Sequence, residues 1–150
     1  MRRAMNSSVC YQITMRAALA LAALGLCSCM PRGTGGECHI DDDCGGSEVC
    51  ARDQMCTASS SVRLVRATWT VQGMPASATT CGVHSDLFIR FTGSELADEL
   101  AYAPVPCEIG QFTIDKLPDR YRQVELGIEG GFSDTETISS QNTAVLNVVF

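Results

Sequence analysis

Val62-Arg-Leu-Val-Arg-Ala-Thr-Trp-Thr-Val71 is the stretch on which the fold turns. Val65, Ala67, Trp69 and Val71 recur at every second position, with Arg66, Thr68 and Thr70 between them. A period of two sends successive side chains to opposite faces of a strand. β-Branched and aromatic residues suit a pleated, half-buried surface. The same pattern recurs downstream. Asp86-Leu-Phe-Ile-Arg-Phe91 puts Leu87, Ile89 and Phe91 on one face, and Gln111-Phe-Thr-Ile114 alternates likewise. Tyr121–Ile128 sets Val124, Leu126 and Ile128 against Glu125 and Glu129, and Thr143–Phe150 completes the set. Gly73, Pro75, Gly82, Gly93, Gly110, Pro118, Gly130 and Gly131 punctuate these runs. Short alternating strands separated by Gly/Pro turns predict a mainly β protein, with residues 62–150 forming an antiparallel β-sandwich. One segment competes as helix, Ser94-Glu-Leu-Ala-Asp-Glu-Leu-Ala101. There Ser94 could cap and Leu96 and Leu100 stand four apart.

The composition narrows the function classes. The chain has 150 residues, enough for a compact domain plus a small module. At 45% hydrophobic and 19% charged it is not a disordered chain. A net charge of −6 disfavours nucleic acid, which needs clustered Lys and Arg. Nine cysteines point to an oxidising compartment or to metal binding.

The N-terminus favours the oxidising compartment. Arg2, Arg3 and Arg16 precede the uncharged run Ala17–Leu26. That run is far short of the ~20 apolar residues that span a bilayer. A basic region followed by a short apolar core reads as a secretory signal peptide. Leu26-Cys27-Ser28-Cys29 then resembles the lipobox of bacterial lipoproteins, with Cys27 departing from the usual residue two before the lipidated cysteine. The resemblance implies a signal peptide over 1–28 and lipid on Cys29; cleavage to a soluble secreted protein is the alternative. Membrane attachment would then come from acyl chains, of which more than one is needed. Losing Arg2, Arg3 and Arg16 but no acid takes the charge from −6 to −9. Cys10 and Cys27 would leave with the leader. The remainder is Cys38, Cys44, Cys50, Cys56, Cys81 and Cys107, the even number that a disulfide framework requires.

Residues 29–37 carry the lipidated cysteine and a Gly-rich tether. Residues 38–57 space Cys38, Cys44, Cys50 and Cys56 evenly, with few apolar residues between. So small a segment needs covalent staples. Two bridges are expected, with interleaved Cys38–Cys50 and Cys44–Cys56 preferred over nested pairing. Zinc sites favour Cys-x₂₋₄-Cys, which is absent here. Asp41-Asp42-Asp43 lacks the oxygen spacing and distal Glu of an EF-hand loop, so its side chains are expected to bond local backbone amides. No metal and no cofactor is expected. The segment Glu37–Cys56, with its Asp43-Cys44 and Val49-Cys50 pairs, resembles the Dickkopf N-terminal-like or EB-like cysteine-rich repeats. That resemblance implies an extracellular disulfide module and no particular ligand. Residues 58–61, Ala-Ser-Ser-Ser, read as a linker.

The stretch from Gly110 to Gly131, with Leu117-Pro118 and Tyr121, resembles the core of prealbumin-like modules such as Cna-B and carboxypeptidase-regulatory-like domains. The expected domain is therefore a seven-strand-type sandwich, Ig-like or prealbumin-like. Lys116, the only lysine, is not where an isopeptide-forming lysine would sit, in the first strand. Cys81 and Cys107 are left to bridge each other.

Chemistry is sparse in this sequence. Gly82-Val-His-Ser-Asp86 places His84, Ser85 and Asp86 in a row, but a triad needs convergence in space. His84 reads as a solvent-facing turn residue and Trp69 as core. Asp98 and Glu99 read as surface acids. No catalytic residue is assigned. The expected protein is a non-enzymatic, exported lipoprotein, anchored in the cell envelope, at the outer membrane or cell surface. Its role would be binding, adhesion or structural, toward a surface glycan or protein. An exported hydrolase, or an accessory subunit of one, is the alternative.

Overall fold

A computed structural model describes residues 36–95 and 97–150. The expected signal peptide, lipidated Cys29 and most of the tether lie outside the described residues. The chain is mainly β. A short hairpin, β1 (Glu48–Cys50) and β2 (Cys56–Ala58), forms the core of the cysteine-rich module. The expected linker is the end of β2 followed by a 3-10 turn, Ser59–Ser61, which leads directly into β3 (Val62–Val71). The remaining strands are β4 (Met74–Pro75), β5 (Asp86–Thr92), β6 (Glu99–Pro106), β7 (Gln111–Pro118), β8 (Gln123–Gly127), β9 (Ser133–Thr137) and β10 (Thr143–Val148).

Two sheets contribute to one core. In the first, β10 lies on one edge of β3 while β7 and the short β4 share the other. The second runs β6-β5-β8-β9 and is antiparallel throughout. The expected all-antiparallel arrangement needs one correction, because β10 pairs with β3 in parallel. These two strands lie far apart in the sequence, so the intervening chain can return β10 in either direction.

The alternation in β3 is realised. Val65, Ala67, Trp69 and Val71 are buried, and they meet Leu87, Ile89 and Phe91 of β5, Val124 and Leu126 of β8, and Ala144, Leu146 and Val148 of β10 in one cluster. Phe91, Tyr102 and Phe112 join β5, β6 and β7 on one side, with ring centroids 5.4–6.4 Å apart. The Gln72-Gly73 turn between β3 and β4 has φ values of 52° and 77°. Two positive φ angles match the type I′ twist that a two-residue hairpin needs, and glycine adopts that conformation without a Cβ clash.

The helix expected as a competitor over residues 94–101 does not form; Glu99, Leu100 and Ala101 open β6. This strand carries Pro104 and Pro106, which lack the N–H that an interior strand must donate, so it occupies a sheet edge. The Ala103–Pro104 peptide is cis. β9 is Ser-Asp-Thr-Glu-Thr, a polar edge strand without apolar alternation.

Candidate functional site

Three disulfides join the six cysteines: Cys38–Cys50, Cys44–Cys56 and Cys81–Cys107. Their Cα–Cα separations of 5.5–6.0 Å lie in the ordinary range for bridged cysteines. The module pairing is the interleaved one. The β1–β2 register puts Cys50 opposite Cys56, and each bonds a cysteine from the segment before the hairpin. The sulfurs of Cys38, Cys44 and Cys56 lie within 4.8 Å of one another because two bridges pack side by side. Sulfur held in a disulfide is not the thiolate that zinc requires.

The acidic run forms a 3-10 turn, Asp41–Asp43. One carboxylate oxygen of Asp43 accepts the His39 and Ile40 amides at 2.8 and 3.1 Å, and Asp41 accepts the Cys50 amide at 3.0 Å. These carboxylates fold the loop, as expected of an Asp-rich turn.

Asp41 also reaches across to the β domain. Opposite Leu64, β7 holds two residues against one, a bulge formed by Asp115 and Lys116. Lys116 takes a left-handed conformation there, with φ of 49°. Its ammonium lies 2.7 Å from both oxygens of Asp41. Arg52 pairs with Asp115, and the Arg52 amide donates to the Lys116 carbonyl at 3.2 Å. A third contact runs from Asp53 of the module to Arg120, which also binds Asp98 at 3.0 Å. Lys116 and then the Cys50 amide hold the Asp41 carboxyl below its ordinary value. Arg52 does the same for Asp115. Between the module and the bulge opens a cleft of about 460 Å³, bordered by His39, Asp41, Arg52, Gln54 and Lys116. Of its charged residues, Asp41 and Lys116 pair with each other and Arg52 pairs with Asp115.

The residues singled out by sequence are distributed differently. Trp69 is buried, and its indole N–H donates to the Cys107 carbonyl at 2.8 Å. Tyr121 is buried as well, and its carbonyl accepts from the Arg63 guanidinium at 2.6 Å. His84 is not the solvent-facing turn residue expected. Its ring packs on Phe150, with centroids 4.5 Å apart, and it is half-buried. The C-terminal strand brings that ring to it, a long-range contact no local motif encodes. Ser85 donates to neighbouring Asp86 at 3.2 Å rather than to an imidazole. Asp98 and Glu99 point to different partners, Arg120 and Arg90, so they form no carboxylate pair. Arg52, Asp115 and Arg120 were not singled out by sequence. Arg52 and Asp115 are 63 residues apart, and nothing local in the sequence joins them.

No protein-family model, no curated protein and no solved structure matches the chain.

Proposed function

We propose that this chain is an exported, lipid-anchored envelope protein with a binding or structural role, built as a disulfide-stapled module clamped onto an Ig-like or prealbumin-like β-sandwich. The observation that carries the reading is the clamp. Three ion-pair contacts join the module to the β domain: Asp41–Lys116 and Arg52–Asp115 at the bulge of β7, and Asp53–Arg120 just beyond that strand. Together with three disulfides they make a rigid body suited to an oxidising exterior. The histidine and tryptophan that would have served a site are engaged in packing, His84 on Phe150 and Trp69 in the core. The lipobox-like Leu26-Cys27-Ser28-Cys29 supports the anchor, and with such an anchor the end of the domain opposite the module would face away from the membrane.

Mass spectrometry of the membrane fraction tests the anchor. A diacylglyceryl peptide beginning at Cys29 is expected; an unlipidated soluble protein starting downstream would overturn it. The hydrolase alternative predicts an activity that vanishes in His84→Ala while the fold persists.

A further inference from the structure

The end of the β domain opposite the module gathers features that the clamp does not use. β3 runs ten residues from the module, about 30 Å at ~3.3 Å per residue. At its far end meet the Gln72-Gly73 turn, α1 (Ala78–Cys81), the start of β5, the 3-10 turn Cys107–Ile109 and the last residues of β10. The Trp69 amide donates to the Gly110 carbonyl, the Cys107 amide to the Ser85 carbonyl and the Gln72 amide to the Val148 carbonyl. The β8–β9 turn arrives at the same end, because Gly127 pairs with Phe88 near the start of β5.

Five exposed large apolar side chains collect there: Met74, Val83, Ile109, Phe132 and Val149. Val83 is 90% and Phe132 69% exposed. Scattered apolar residues on a surface are ordinary, but a concentration at one end marks an interaction surface.

The charge at this end has one sign. Two clefts of about 270 and 280 Å³ adjoin, and both include Asp86. The first adds Glu108 beside Pro106, and the second adds Glu129 beside Phe88 and Pro104. Neither Glu108 nor Glu129 has an ion-pair partner among the described residues. The sequence places no Lys or Arg in 67–89, 91–115 or 123–150. Six of the seven cations among the described residues, Arg90 being the seventh, belong to the module, to the first half of β3 or to residues 116–122. The molecule is therefore polarised, with cations near the clamp and uncompensated carboxylates at the apolar tip.

We propose that this tip docks a protein segment of the opposite character, an extended basic stretch whose Lys or Arg side chains enter the two clefts beside Asp86 while interleaved apolar residues cover Val83 and Phe132. Complementary charge sets register and speeds encounter, and apolar contact supplies the area. The proposal rests on the reading of the protein as a binding module, not on its lipidation.

The test is fluorescence-polarisation titration of the full chain with an eight-residue peptide alternating lysine and leucine, at 0.15 M salt. The triple variant Asp86→Asn, Glu108→Gln, Glu129→Gln is expected to weaken binding about tenfold or more. The control triple Asp42→Asn, Glu48→Gln, Glu136→Gln, with the same net charge, is expected to change it less than about twofold. Val83→Ser with Phe132→Ser should weaken binding at unchanged charge. Thermal melts confirm that all three variants are folded, and single Glu108→Gln provides a fallback. No binding by the unaltered protein, or equal losses in the two charge triples, overturns the proposal. So does a dimer in sedimentation velocity that Val83→Ser abolishes, because the tip would then be covered by a second copy. Cleavage of the peptide during titration would count against the non-catalytic reading and leave the tip in place.

Discussion

Lys116, in the bulge of β7, and Asp41, in the acidic turn of the cysteine-rich module, are 75 residues apart in sequence, yet the ammonium lies 2.7 Å from both carboxylate oxygens. The bulge makes the contact possible. An extra residue on one strand turns the side chain out of the ladder and toward the module. The neighbouring Arg52–Asp115 pair and the Arg52 amide bond to the Lys116 carbonyl fasten the same place.

The clamp should open in acid. Asp41 and Asp115 both have carboxyls held below the ordinary value, about 3.9, by Lys116 and Arg52 respectively. A group depressed in the folded state contributes fully above its unfolded pKa and loses that contribution as pH falls through the lower folded value. Protection of the Arg52 amide, read by hydrogen–deuterium exchange with mass spectrometry and corrected for the pH dependence of the intrinsic rate, should fall below about pH 4. Lys116→Met should remove part of that dependence, and added salt should loosen the clamp at neutral pH. Protection that is flat down to pH 2 would show that these pairs do not hold the module.

Trp69→Ala should destabilise the β domain by about 3–5 kcal/mol, the usual cost of removing a buried aromatic. Trp69→Phe isolates the hydrogen bond to the Cys107 carbonyl from most of the packing. Its loss leaves that carbonyl only the 3.3 Å bond from the Gly110 amide, at a cost of about 0.5–1.5 kcal/mol. Denaturant melts of the two variants separate the terms. A stable Trp69→Ala protein would remove Trp69 from the core.

The Cys81–Cys107 bridge spans 26 residues. Closing such a loop stabilises by about 3.5 kcal/mol on the chain-entropy estimate. Replacing both cysteines with alanine should lower the melting temperature without exposing thiols elsewhere. Thiol labelling of denatured, unreduced protein should find none of the six cysteines free.

Gly127→Ala should be poorly tolerated. A Cβ there would lie 2.4 Å from the Phe132 carbonyl oxygen and 2.6 Å from the Ser133 side chain. The β8–β9 hairpin would have to shift, at about 1–3 kcal/mol for overpacking of this kind. Gly45→Ala, where nothing lies within 4 Å, is the matched control. Equal melting temperatures for the two variants would contradict this account.

His84→Ala should cost about 0.5–1.5 kcal/mol, the scale of an aromatic pair, because the ring rests on Phe150. Phe150→Ala should cost a similar amount, and the double variant should cost less than the sum. Strict additivity would dissolve the pair.

What the sequence determined by itself is whatever repeats locally. Period-two alternation identified β3, β5, β7, β8 and β10 and named the buried faces of β3 and β5, because a strand's geometry leaves an alternating chain only one way to bury its apolar side. Cysteine parity anticipated a disulfide framework for the same local reason. The two edge strands of the second sheet escaped that reading. β6 spends two positions on proline, and β9 has no apolar face to alternate, since a solvated edge needs none. Tertiary structure alone decided what joins distant residues. It brought Phe150 to His84, turned β10 parallel to β3, and aimed Lys116 at Asp41 through a bulge whose extra residue leaves no mark in the hydrophobic pattern. It also collected Asp86, Glu108 and Glu129 at one tip. Each of these depends on where separate strands end in space, and a strand's own sequence fixes its faces but not its neighbours.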